Sequence, residues 1–219
     1  MRAGLLCLAA VVAIIYLSLV LMIASVKWID PPTTSVHIER RLEAWRTRKP
    51  YQKRYHFVPA SQISADLRHA VVAAEDTRFN EHSGIDWVEV QKILEQDLEK
   101  GKLGRGGSTI SQQLVKNLFL TTSRSWVRKG LEFTLVPVAE FMLGKDRILE
   151  LYLNVIEWGP GVYGADAAAR YWYNIPASRV GREQAARLAS VIPAPRRRRP
   201  GRMDAYTDVI LMRMKQMGW

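Results

Sequence analysis

Two glutamates, Glu75 and Glu132, bracket a stretch rich in amides, hydroxyls and cations, and the residue types between them point to acid–base chemistry on an anionic substrate. Glu75 opens EDTRFNEHSGID, which runs to Asp86 and includes Asp76, Phe79 and His82. Leu67, Ala70, Val71 and Ala74 recur at helical spacing just before it, so Glu75 ends an apolar helix, where a cavity wall would raise its pKa. Taken singly, such an acid is more often a plain surface group, and a lone histidine such as His82 more often structural.

A second block, GGSTISQQLVKN from Gly106 to Asn117, follows a glycine-rich stretch. Ser108 or Thr109 can cap a helix here, and the free N–H groups of its first turn then face any approaching anion. Gln112, Gln113, Lys116 and Asn117 fall three to four positions apart, on a face opposite Leu114 and Leu118. That face is either a phosphate or pyrophosphate clamp or a merely solvated one. It is not a nucleotide P-loop, because no Gly-Lys-Ser/Thr closes the loop.

The third block, RSWVRKGLE, spaces Arg124, Arg128 and Glu132 four apart, with Lys129 three before Glu132. The plain reading is an ion-pair ladder stabilising the helix by about 0.2–0.5 kcal/mol per pair. Joined to the other two blocks, it completes what a sugar transfer with a pyrophosphate leaving group requires. One acid removes a proton from the attacking hydroxyl, and cations neutralise the charge growing on the departing phosphate.

Almost everything that positions these residues reads as helix, so the fold class is mainly α. Asp86 with Glu89 marks an N-cap for a helix carrying Trp87, Val90, Leu94 and Leu98 on one side. Ser125 can cap a long helix toward Leu143, with a kink or break expected at Pro137, and Asp146 starts the next, through Tyr152 to Val155. Further helices are expected over Ala165 to Trp172, Arg182 to Val191 and Asp204 to Met217. The glycine-dense segment from Lys100 to Gly107 is expected to be a mobile loop that closes over substrate.

The chain divides into an anchor at 1–27, a juxtamembrane linker at 28–60 and a domain at 61–219. Ala3 to Val26 holds no charge, and at about 1.5 Å per residue it reaches roughly 36 Å, enough to cross a bilayer. A cleaved signal peptide is the competing reading, but the apolar run is longer than the usual h-region and no clean A-x-A site precedes Lys27. Pro31-Pro32, Pro50 and the basic run Arg46 to Lys49 suggest an irregular linker near the bilayer. The 219 residues carry a formal charge of +11, which calls for an acidic partner, and the anchor favours a membrane surface over nucleic acid. Cys7, the single cysteine, excludes disulfides within the chain and cysteine-based metal sites.

In order, EDTRFNEHSGID, GGSTISQQLVKN, RSWVRKGLE and ILELYLN at Ile148 to Asn154 resemble the successive motifs of glycosyltransferase family 51. The resemblance runs from about Gln62 through EQAARLASVIPAP at Glu183 to Pro195, and thins over the linker. Ser111 stands where the family usually shows Thr, and Pro137 has no counterpart in this reading. With no transpeptidase domain following, a monofunctional member is expected. The family implies a lysozyme-like helical domain against the outer face of the bacterial cytoplasmic membrane, single-pass and periplasmic. Its substrates are lipid II, the undecaprenyl-pyrophosphate-linked disaccharide-pentapeptide, and the growing glycan strand.

Carried over by position, Glu75 matches the base and Glu132 the second acid, which organises the pyrophosphate site directly or through a divalent cation such as Mg²⁺. Ser108, Thr109, Gln113, Lys116, Arg124 and Arg128 match positions around the donor pyrophosphate and sugars, while Asp76, Phe79 and His82 shape the pocket. No cofactor is otherwise implied, and other cell wall synthases are candidate partners. The run Arg196 to Arg199 either meets anionic lipid or pyrophosphate or is a solvated loop. The flanking charges lean faintly toward a cytoplasmic domain, against the family's placement. A lysozyme-like hydrolase of finished peptidoglycan is the alternative enzyme, a membrane scaffold the non-catalytic one, and nucleic-acid binding has only the charge to support it.

Overall fold

The structure, a computed structural model, describes residues 2–100, 107–123 and 125–219, with the side chains of Asp97, Glu99 and Lys100 outside it. Residues 101–106 of the expected closing loop, and Arg124, lie outside the described residues. The chain is mainly helical, as its periodicity requires: α1 Arg2–Ser25, α2 Ser35–Arg46, α3 Ala65–Glu75, α4 Trp87–Lys100, α5 Ile110–Phe119, α6 Trp126–Val155, α7 Ala165–Tyr173, α8 Arg182–Ala189 and α9 Asp204–Gln216. Three very short strands, β1 Arg54–Tyr55, β2 Glu157–Gly159 and β3 Val162–Tyr163, form a sheet of order β1-β3-β2. β1 runs parallel to β3, with Arg54 opposite Val162, and β2 antiparallel to it.

The core is built where α5 lies along α6 and where α3 packs on α8 and α9. Leu67, Ile110, Leu114, Leu135, Ile148, Leu151 and Leu188 are fully buried there. Burying such side chains stabilises by about 1.5–3 kcal/mol each before conformational entropy is subtracted. This packing lays α5 along α6 and brings the end of α3 to α5, where Gln113 donates to Glu75.

Residues 28–60 are more ordered than an irregular linker. Thr34 caps α2 by accepting from His37 N at 3.2 Å, His37 Nε2 meets the Val155 carbonyl at 3.0 Å, and Arg40 pairs with Glu157 at 3.2 Å. Burial pushes His37 down to about 4, so it stays neutral and can donate from Nε2 to that carbonyl. The helix buries only Val36 and His37, too few residues to leave an apolar period in the sequence.

The long helix breaks at Gly144, not at Pro137. Helical dihedrals continue through Pro137, whereas Gly144 has φ 73° and ψ 165°, a region open essentially to glycine alone. Proline removes one backbone donor and can be carried by a helix; a reversed φ cannot. The segment to Leu143 and the segment from Asp146 are therefore two helices in contact through one residue, and the second turns Tyr152 and Asn154 fully inward.

The apolar side expected of α4 is not covered by the domain: Trp87, Leu94 and Leu98 are 64%, 57% and 76% exposed. Periodicity specifies an apolar face but not what lies against it. α1 is exposed over most of its length, yet its last turns pack on α6, with Ile23 fully buried and Tyr16 Oη donating to the Thr134 carbonyl at 3.3 Å. Arg147 closes this junction by donating to the Val26 carbonyl at 3.0 Å and pairing with Asp30 at 2.8 Å.

Two glycines separate packing from propensity. Gly164 has φ +88°, and a Cβ there would sit 2.6 Å from the Asn154 carbonyl oxygen. Gly164→Ala should lower stability by about 2 kcal/mol or more, while Gly130→Ala, which meets nothing within 4 Å inside α6, should raise it by about 0.5–1 kcal/mol. Denaturant unfolding in detergent reads both, and equal effects of one sign would contradict the assignment.

Candidate active site

Ser64 caps α3 by accepting from Leu67 N at 3.2 Å, and the helix ends at Glu75 because Asp76 leaves helical dihedrals. The Asp76 carboxylate then binds two other pieces of chain. It accepts from His82 Nε2 at 3.0 Å and from Ile110 N, the first residue of α5, at 3.0 Å. Gly84 N donates to His82 Nδ1 at 3.1 Å, so Nε2 must carry the ring proton. Thr109 Oγ1 caps α5 by accepting from Gln112 N and itself donates to the Gly84 carbonyl at 2.6 Å. Gln112 returns the bond to Thr109 N at 3.0 Å, completing a capping box.

Those bonds fix Glu75 beside α5. Gln113 Nε2 donates to Glu75 Oε2 at 2.8 Å, and Glu75 opens onto a cavity of about 840 Å³. Burial drives the Glu75 carboxyl above its ordinary range, partly offset by the Gln113 bond and by the charges of Lys116 and Arg198. Burial likewise raises Asp76, against the bonds from His82 and Ile110.

Beyond Gln113, Lys116 extends from the same helix into the field of the second acid. Burial lowers its pKa, Arg128 and Lys129 lower it further, and Glu132 and Glu75 both oppose that shift. Glu132 is 2% exposed, and its two oxygens are held separately, by Arg128 Nη1 and by Lys129 Nζ, each at 2.5 Å. The ladder seen in the spacing is thus present, and it is drawn inside beside Lys116. Three cations around one carboxylate leave an excess of positive charge suited to a diphosphate.

The expected residues do not all reach the same place. Glu75, Asp76, Ser108, Thr109 and Gln113 line the cavity; Lys116, Arg128 and Glu132 do not. Phe79 is 2% exposed with Lys145 Nζ 4.5 Å from its ring centroid, and it stands with His82 behind the wall. Gln112 and Asn117 are buried, Asn117 donating to the Gln113 carbonyl at 2.7 Å, so the polar face of α5 is largely internal. Ser111 is also buried and donates to Glu140 at 2.5 Å.

The four arginines do not act as one patch. Arg196 pairs with Glu43 at 3.0 Å, Arg199 lies over Trp172, and Arg198 lines the cavity while donating to the Ser190 carbonyl at 2.8 Å. Tyr206 and Arg213 of α9 complete the wall by donating to carbonyls at the end of α3, Tyr206 to Ala74 at 3.3 Å and Arg213 to Ala73 at 3.2 Å. Sequence reasoning missed both, since a lone tyrosine or arginine in an amphipathic helix carries no local signal.

Among the described residues around Glu132 no carboxylate oxygen stands free for magnesium, since both oxygens of Glu132 are paired with Arg128 and Lys129. Asp76, His82 and Asp86 gather their ligand atoms within 4.8 Å, but these are spent on one another and on backbone N–H groups.

Comparison with known proteins identifies the family. The family model described as Transglycosylase matches residues 41–216. The chain is similar to proteins named biosynthetic peptidoglycan transglycosylase in three bacteria. The one from Azoarcus sp. (strain BH72) is 46% identical over 213 residues, covering 94% of this chain and 92% of the relative. That from Bordetella pertussis is 44% identical, covering 95% and 90%, and that from Ectopseudomonas mendocina 42%, covering 90% and 83%. A match spanning α3 through α9, with every motif block inside it, makes the chain a member of the transglycosylase family.

Proposed function

We propose that this protein is a peptidoglycan glycosyltransferase that polymerises lipid II into β-1,4 glycan strands and releases undecaprenyl diphosphate. The family and its relatives' names support the reading, and one observation carries it into residues. Glu75, its carboxyl raised by burial, opens onto the large cavity, while Lys116, on the helix that carries Gln113, feels both Glu75 and Glu132.

In this reaction the Glu75 carboxylate takes the proton from the 4-hydroxyl of the acceptor's N-acetylglucosamine. The freed oxygen bonds to the anomeric carbon of the donor's N-acetylmuramic acid as the bond to the lipid pyrophosphate breaks, so configuration inverts. A raised carboxyl is a stronger base than an ordinary glutamate, and general-base catalysis of this kind supplies about 10²–10⁴-fold in rate. Lys116, Arg128 and Lys129 take up the charge on the leaving pyrophosphate, whose arrival restores the cationic form that burial disfavours in Lys116. Glu132 holds Arg128 and Lys129 in place, Ser108 offers a hydroxyl on the exposed rim, and Asp76, Phe79 and His82 keep the wall behind Glu75 fixed. Arg124 completes the cationic set by its place in the motif.

The same reading places α1 across the inner membrane with the domain on the periplasmic side. Tyr16 lies nine positions before Ser25, about 14 Å along a helix rising about 1.5 Å per residue, and it touches α6 at Thr134. A spanning α1 therefore carries the first half of α6 into the outer leaflet, which suits the exposed Trp126, Val127 and Phe141 and the uncovered side of α4.

Glu75→Gln should abolish polymer formation from purified lipid II, a loss of about 10²–10⁴-fold, while thermal unfolding and substrate binding stay near wild type. Supplying finished peptidoglycan to the wild type separates the hydrolase: fragments from it, with no polymer from lipid II, would overturn the proposal. Because the base works only when ionised and burial raises its pKa, kcat/KM should fall as pH drops through a midpoint above the ordinary glutamate range. A midpoint at or below that range would remove Glu75 as the base.

Depth in the bilayer is testable through lipids brominated along the acyl chain. In protein reconstituted with such lipids, Trp126→Phe and Trp87→Phe should remove much of the quenching, whereas Trp158→Phe, at a fully buried position, should not. Equal quenching in all variants would refute immersion.

A further inference from the structure

Tyr152 is fully buried on the second half of α6, and its hydroxyl meets the side chain of Gln113. Tyr152 Oη donates to Gln113 Oε1 at 2.9 Å; the other end of that amide, Nε2, donates to Glu75 Oε2 at 2.8 Å and lies 3.4 Å from the Ser108 carbonyl. The three side chains thus form a chain from the core to the cavity wall, each from a different helix.

An amide has two faces of opposite character, and only one of them suits a carboxylate. With Nε2 toward Glu75, the amide donates to the charged form of the acid. Turned over, it would present Oε1 to Glu75 and to the Ser108 carbonyl, which are acceptors, unless Glu75 took up a proton and donated instead. What decides between the two is the partner of the other end. A buried phenol has one proton to place, and among the described residues Gln113 Oε1 is its only recorded hydrogen-bond partner. Were the amide reversed, its Nε2 would donate to Tyr152 Oη and the phenolic proton would be left buried without a partner, a cost of about 1–3 kcal/mol. Burial and the charges of Glu75 and Asp76 keep the phenol protonated by driving its pKa well above the ordinary value.

We infer that Tyr152 is a positioning residue for the catalytic base: by donating to Gln113 Oε1 it locks the amide with its NH₂ toward Glu75 and so favours the ionised carboxylate. The inference rests on Glu75 being the base, and Tyr152 itself touches no substrate.

The full chain in detergent, with lipid II as substrate, provides the test. Tyr152→Phe keeps the ring and removes the donor, freeing the amide to turn. The acid limb of the kcat/KM profile should move up by about one pH unit, which is about a tenfold loss on the acid side with a rate near wild type on the plateau. A rate reduced equally at all pH values, or an unmoved limb, would mean that Tyr152 only packs the core. A ¹³C-carboxyl titration of Glu75, assigned by its disappearance in Glu75→Gln, should show the same upward shift without any turnover. Should Glu75→Gln remain active, the base assignment fails, yet the titration still decides whether Tyr152 acts on Glu75. If Tyr152→Phe does not fold, Gln113→Met, which leaves the tyrosine ring in place, must raise the Glu75 titration as well; an unchanged titration there overturns the inference.

Discussion

Asp76 holds the site together. Its backbone ends α3, and its carboxylate gathers the His82 ring and the first N–H of α5, so a helix C-terminus and a helix N-terminus are pinned to one residue. Each of these bonds involves a charged acceptor in a buried place, where hydrogen bonds are strong and their loss is costly. The position of Glu75, one residue before, follows directly. It cannot drift from Gln113 unless Asp76 first lets go of α5.

The second half of the site depends on cations taken partly out of water. Lys116 is disfavoured as a cation by burial and by Arg128 and Lys129, and is supported by two carboxylates. In the proposed reaction such a cluster, tense when empty and relaxed by a dianion, supplies binding energy where leaving-group charge grows. Glu132 lies between Arg128 and Lys129 and keeps them from repelling each other.

A membrane-spanning α1 accounts for features that look like faults in a soluble protein. An apolar side of α4 without cover, a bare Trp126 and a nearly naked α1 would be aggregation hazards in water, yet in lipid they are ordinary solvation. The Arg147 contacts to Val26 and Asp30 tie α1 to the domain, and in the proposed placement this sets the level of the site relative to the bilayer.

Much was legible before folding. The caps at Asp86 and Thr109, the periods of α3, α5 and α7 to α9, and the order of the four motif blocks depend only on neighbours along the chain. Local signals vanish where an element takes its stability from distant contacts, as α2 does from Val155 and Glu157, and where dihedrals rather than residue type break a helix, as at Gly144 instead of Pro137. The sequence by itself therefore determined the helical class, the long apolar first helix and the residue types of the site. Only the tertiary structure decided which way other polar groups turned: Arg196 to Glu43, Arg198 to the cavity, and Tyr152 to Gln113. The physical reason is that a hydrogen bond or ion pair is settled by whichever partner is near after burial. Residues a hundred positions apart become neighbours only through the packing of the apolar faces between them.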